Sequence, residues 1–126
     1  MKKLLQKARH GFTLVEIMIV VLIIGILLAI AVPNFIRARE SSRSKSCVSN
    51  LKQIDSAKEQ WAMDNKKVTG DVPLTTDLYG VTKYVKSTPA CPSNGTYTIA
   101  AIGTSPSCSI GANGTVADTT DDHILP

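Results

Sequence analysis

Residues 12–32 read FTLVEIMIVVLIIGILLAIAV. From Ile17 to Val32, sixteen residues run without one charged or hydrogen-bonding side chain. As a helix rising about 1.5 Å per residue, the 21-residue stretch reaches roughly 32 Å, enough to cross a bilayer core of about 30 Å. A buried helix of that length and uniformity does not suit a small soluble domain, so a membrane-inserted helix is expected here. The averages of the 126-residue chain, 44% hydrophobic and 19% charged with mean hydropathy +0.09, conceal this block. With the first 32 residues set aside, about 94 remain for anything water-soluble. That is one small domain, which excludes a large enzyme with a deep cleft. Aromatic residues make up only 5%, too few for stacking platforms that hold single-stranded nucleic acid.

The charge is distributed unevenly. Lys2, Lys3, Lys7 and Arg9 precede Gly11, and from Phe12 onward ten Lys and Arg face ten Asp and Glu. The net +4 therefore belongs to residues 1–11, MKKLLQKARHG, and not to the body, where a nucleic-acid-binding protein would carry it. An ordinary secretory signal runs basic region, apolar stretch, then small-residue cleavage site. Here the Gly11–Phe12 junction comes before the apolar stretch and nothing like A-x-A follows. Either nothing is cut, or the cut leaves the apolar helix on the mature chain. Arg37, Arg39, Arg43 and Lys45 follow the helix, so the positive-inside rule barely sets an orientation. The cysteines and the bulk of the chain beyond the helix favour an extracytoplasmic C-terminus.

Pro33 ends the apolar run, and a proline there bends or breaks a helix without forbidding its continuation. The spacing predicts a helix over 34–67. Cys47, Leu51, Ile54, Ala57 and Trp61 recur at steps of four, three, three and four, one face of a 3.6-residue period. Arg43, Lys45, Lys52, Asp55, Lys58 and Glu59 are placed on the other faces. Such an amphipathic helix must bury its stripe against the remaining chain. From Thr69 glycines and prolines punctuate short stretches. TYTIAAI (96–102) reads as a strand and SCSI (107–110) as its partner, joined through Gly103–Pro106. Leu78–Val85 reads equally as a short helix or an extended loop. The tail VADTTDDHILP is acidic and irregular.

Glu16 is the one charge between Phe12 and Val32. An ionisable group inside a bilayer costs roughly 2.5–3.5 kcal/mol and is a functional candidate by default, although a position near the helix end also lets it reach the headgroups. If the chain is cut before Phe12, the new α-amine lies about one turn from Glu16. Between neighbouring helices offset along their axes, the amine of one subunit then meets the carboxylate of the next. Pairing removes the penalty of a lone carboxylate in lipid and so favours assembly.

The short basic leader, Gly11, Phe12, Glu16 in G-FTLVE, the apolar run with Gly25 and the following Pro33 together resemble the N-terminus of type IV pilins and type II secretion pseudopilins. The resemblance implies cleavage by a prepilin peptidase between Gly11 and Phe12, N-methylation of Phe12, and recognition of a neighbour's N-terminus by Glu16. It implies extraction of the helix from the inner membrane into a filament by an assembly platform with a cytoplasmic motor ATPase. It also implies that Gly25 to Pro33 is a stretch able to unwind, which suits the two poorest helix formers. NLKQIDSAKEQWA and LYG…KYVKSTPACPSNGTYT are similar to pilin-like proteins in which a helix is followed by a Pro-Cys-Pro turn and a small hairpin. That likeness does not fix which filament is built.

Three cysteines make an odd count. Cys91 and Cys108 flank the predicted hairpin, and a bridge between them closes a loop worth about 3 kcal/mol in the chain-entropy model. Cys47 is then a buried thiol, with Cys47–Cys91 as the alternative pairing. No CxxC or Cys/His spacing suggests zinc, and no metal or cofactor is expected. The Asn-Gly-Thr triplets at Asn94 and Asn113 fit glycan acceptors but fit turns better. Asp118, Asp121 and Asp122 match no firm calcium loop and read as a solvated tail; His123 receives no role. The basic group Arg37, Arg39, Arg43 and Lys45 suits anionic headgroups or acidic neighbours and does not establish nucleic-acid binding. No catalytic constellation can be assembled, so an enzyme is not expected.

The expected fold is α+β and pilin-like: a long N-terminal helix, half membrane-spanning and half amphipathic, packed on a small C-terminal antiparallel sheet. The expected organisation is a leader at 1–11, a transmembrane and assembly helix at 12–33, and an extracytoplasmic domain at 34–126, its helix over 34–67 and its loop and β-region over 68–126. The expected function is a structural subunit that polymerises with itself and other pilins or pseudopilins, stored in membrane lipid at the inner membrane before joining a pilus or periplasmic pseudopilus. The rival is a single-pass anchored binding domain that never assembles.

Overall fold

The computed structural model describes residues 11–111 and 123–125. The leader residues 1–10, the Asn113 triplet, and Asp118, Asp121 and Asp122 lie outside the described residues. Four elements follow one another: α1 (Leu14–Asp64), α2 (Thr75–Leu78), β1 (Tyr97–Thr98) and β2 (Ser107–Cys108). A long N-terminal helix followed by a small antiparallel pair of strands is the expected α+β arrangement. The chain divides after Ile36 into two compact units.

In the first unit α1 carries an apolar surface with nothing of its own chain to bury it. The large apolar side chains from Phe12 to Ile36 are all exposed, from 46% at Val20 to 79% at Phe12. Length and apolar composition are enough for this part of the helix to cross a membrane. Pro33 lies within α1; lacking an N–H, it leaves the Ala29 carbonyl without its helical donor.

The second unit begins at Arg37 and builds its core on the later turns of α1. Cys47, Leu51, Ile54, Ala57 and Trp61 are all buried, as their spacing predicts. Ile54, Ala57, Trp61 and Ala62 pack with Leu78, Val85, Ile99 and Ile102. Cys47 and Leu51 form a second cluster with Cys91 and Cys108, covered by Tyr97 and Leu125. Fully buried residues such as Leu51, Ile54 and Leu78 each contribute about 1.5–3 kcal/mol of hydrophobic stabilisation.

Lys58 corrects the surface reading of the sequence. It is fully buried, its ammonium 3.1 Å from the Asp55 carboxylate and donating to the Thr104 carbonyl. The Asp55–Lys58 spacing is thus an anchor for the loop around Thr104 and not a solvent-exposed pair.

α1 stops three residues short of the predicted end. Lys66 adopts the left-handed conformation (φ +52°). The Lys67 amide donates to the Ala62 carbonyl at 2.9 Å and the Lys66 amide to the Met63 carbonyl at 3.4 Å. This is a Schellman closure with a lysine where glycine is usual. The predicted strand over 96–102 shrinks to Tyr97–Thr98, which pair with Cys108 and Ser107. Ala100 turns to φ +61°, and Ile102 instead exchanges hydrogen bonds with the loop at Gly70 and Asp71. The undecided stretch near 78–85 contains the end of α2 and an isolated bridge between Tyr79 and Val85.

Candidate functional site

Two places concentrate chemistry-bearing residues. At the head of α1, the Glu16 amide donates to Thr13 Oγ1 at 3.2 Å, so the threonine side chain caps the first helical turn. Glu16 sits in that turn, where the positive end of the helix dipole favours a negative charge. Among the described residues its carboxylate has no ion-pair partner. Gly11 and Gly25 have open space where a Cβ would stand; nothing in this chain's own packing demands glycine at position 25. Phe12 and Glu16 are exposed, and Pro33 lies inside the same helix. The basic residues beyond it are less uniform than their spacing suggests, since Arg43 pairs with Glu40 at 3.0 Å.

The second place lies within the second unit. Cys47 on α1, Cys91 in the turn before β1, Cys108 on β2 and His123 in the C-terminal segment converge in its interior. All three cysteines are free thiols. Cys91 Sγ lies 3.7 Å from Cys108 Sγ and 3.9 Å from Cys47 Sγ, so the two pairings considered from sequence bring together equally close, unbonded sulfurs. His123 Nδ1 lies 3.7 Å from Cys91 Sγ. All four residues are buried.

Local structure explains the convergence. Cys91-Pro92-Ser93-Asn94 closes a turn in which the Asn94 amide donates to the Cys91 carbonyl at 3.1 Å, with Asn94 at φ +60°. The cross-strand pairing of Tyr97 with Cys108 sets the second sulfur. The His123 amide donates to the Gly111 carbonyl at 3.0 Å. Asn50, one turn beyond Cys47, donates to both the Ala90 carbonyl and the Tyr97 hydroxyl at 3.1 Å.

The electrostatics differ from sulfur to sulfur. Burial pushes the Cys47 thiol up to about 12, although a hydrogen bond from the Tyr97 hydroxyl opposes it. Burial also raises Cys91, but the backbone amides of Ser93 and Gly95 donate to its sulfur and bring it below the ordinary thiol value. Burial and the contact with Cys47 hold the Tyr97 phenol above its usual range.

The sequence reading missed His123, Gly95, Asn50 and the convergence itself. Its signal was arithmetic: from Phe12 onward the chain has three cysteines and a single histidine, four soft donors that spacing alone does not group.

Comparison with known proteins finds a family motif at the head of the chain. The prokaryotic N-terminal methylation motif matches residues 6–32. The type IV major pilin protein PilA of Myxococcus xanthus is 51% identical over 52 residues, 41% of this chain and 24% of that protein. The type II secretion system core protein G of Dickeya chrysanthemi is 30% identical over 90 residues, 71% of this chain and 56% of that one. The core protein G of Klebsiella michiganensis is 28% identical over 110 residues, 78% of each. The chain thus spans about a quarter and about half the length of the first two relatives. No solved structure matches it. In its N-terminal segment, with Gly11, Phe12 and Glu16 at the head of an exposed apolar helix, the chain carries the prokaryotic N-terminal methylation motif and is similar to a type IV major pilin and to type II secretion core proteins G.

Proposed function

We propose that the chain is a structural subunit, not an enzyme, that polymerises through the N-terminal part of α1 into a pilus or a secretion pseudopilus. The observation that carries this reading is the apolar surface from Phe12 to Ile36, exposed along its length and headed by the methylation motif. A surface of that kind needs lipid or other helices around it. The same segment serves both, first in the inner membrane and then in a filament core.

In this proposal residues 1–11 are a leader that a prepilin peptidase removes between Gly11 and Phe12, methylating Phe12. Residues 12–33 are the assembly helix, and 34–126 form an extracytoplasmic domain that coats the filament. Glu16 receives the N-terminal amine of a neighbouring subunit. Its lack of an ion-pair partner among the described residues leaves the carboxylate available. Gly25 and Pro33 soften the helix for its passage from bilayer to filament, driven by an assembly platform with a motor ATPase. Gly25's open surroundings suit a close approach by a neighbouring helix.

Mass spectrometry of the N-terminus tests the reading. Protein purified from cells that contain the peptidase is expected to begin at Phe12 with one added methyl group. A chain still carrying Met1 under those conditions would favour the non-assembling anchored protein. Glu16→Ala is expected to leave the precursor in the membrane and to lower filament yield at least tenfold. An unchanged yield would place registry in apolar packing.

A further inference from the structure

We propose that Cys47, Cys91, Cys108 and His123 bind one zinc ion as a closed structural site. The proposal is independent of filament assembly. Four donor atoms, three sulfurs and one ring nitrogen, lie within 4.8 Å of one another. Zn–S bonds near 2.3 Å in a tetrahedron set sulfurs about 3.8 Å apart, and a Zn–N bond near 2.05 Å sets sulfur and nitrogen about 3.6 Å apart. The measured separations from Cys91 are 3.7 and 3.9 Å to the other sulfurs and 3.7 Å to His123 Nδ1. The separations from Cys91 match the required polyhedron, and the remaining donor pairs lie within 4.8 Å.

Ligand type selects the ion. Thiolates with one imidazole in tetrahedral geometry suit zinc, whereas oxygen ligands suit calcium and magnesium. Burial of all four residues leaves no open position for substrate or water, so the site is structural and not catalytic. Binding displaces one proton from each thiol, and the imidazole coordinates through Nδ1 in its neutral form. Three thiolates and Zn²⁺ leave one net negative charge to be stabilised. The amides of Ser93 and Gly95 donate to the Cys91 sulfur. The Tyr97 hydroxyl, itself receiving a hydrogen bond from Asn50, donates to Cys47. Such outer hydrogen bonds orient ligands and tune the metal. Gly95 leaves room for them, because a Cβ there would stand 2.6 Å from Cys108 Sγ and 3.2 Å from Cys91 Sγ.

A disulfide uses the same atoms differently. Either bridge would consume two sulfurs and leave the third thiol and the imidazole buried without a shared purpose. Zinc engages all four and ties together α1, the turn before β1, β2 and the C-terminal segment.

The test uses the full-length chain, reduced and held in detergent. Titration with Co²⁺ is expected to give thiolate-to-cobalt charge transfer and a tetrahedral ligand-field spectrum at about one cobalt per chain, displaced by Zn²⁺. His123→Ala and Cys108→Ser are each expected to weaken binding at least tenfold. Circular dichroism confirms that each variant retains its helix. Protein isolated without chelators is expected to hold about one zinc per chain by elemental mass spectrometry. A reduced wild-type chain that gives no tetrahedral cobalt spectrum overturns the proposal. So does protein isolated free of zinc with a bridge between any two of the three cysteines.

Discussion

Lys58 and Gly95 each fix a loop that periodicity could not place. The buried Lys58 ammonium donates to the Thr104 carbonyl and pairs with the Asp55 carboxylate, tying that loop to α1. Lys58→Ala is expected to destabilise the second unit by about 1–3 kcal/mol, because it removes a fully buried stem and the hydrogen bond to the Thr104 carbonyl; thermal unfolding followed by Trp61 fluorescence measures it. Gly95 is needed for space and not for a left-handed backbone. Gly95→Ala drives a methyl to within 2.7 Å of Ile110 Cγ1 and 2.6 Å of Cys108 Sγ. A loss of about 1–3 kcal/mol is expected in the same measurement. Legibility at this scale was uneven. Lys58 stands four residues after Ile54 and three before Trp61, so its spacing put it on the buried stripe while its charge argued for the surface. His123 offered no local pattern at all, since its partners lie 15 or more residues away in sequence.

Elements with simple physical demands were readable and those set by tertiary contacts were not. The apolar run and the 3.6-residue stripe both gave α1, because bilayer thickness and helical period are short-range constraints. The end of the helix was missed by three residues because a lysine occupies the left-handed closing position instead of glycine. Lys66→Gly is expected to stabilise the second unit by about 0.5–1 kcal/mol by relieving that conformation. Chemical denaturation midpoints at unchanged slope measure it. The strand over 96–102 was overestimated. Its β-branched and aromatic residues suit a strand, but Ile99 and Ile102 are both taken into the α1 core, which the turn at Ala100 permits.

At the scale of the molecule the two units differ in what they require from their surroundings. Among the described residues, the buried apolar ones all belong to the unit that begins at Arg37. A chain starting at Arg37 is therefore expected to fold in water without detergent, with cooperative melting and the near-ultraviolet signature of a packed Trp61. Failure of that piece to give a cooperative transition would show that the apolar segment contributes to folding. The same division explains what sequence could say about function. The N-terminal segment was legible because its chemistry is contiguous, whereas the thiol–imidazole cluster is drawn from four separate places and exists only after folding. The cap at the head of α1 has one more consequence. Thr13 supplies its hydroxyl from the far side of the Gly11–Phe12 bond, so severing that bond discards no atom on which the opening coil relies. Under the proposed cleavage, trimming would cause no fraying, and the new terminus would stand on a rod already wound.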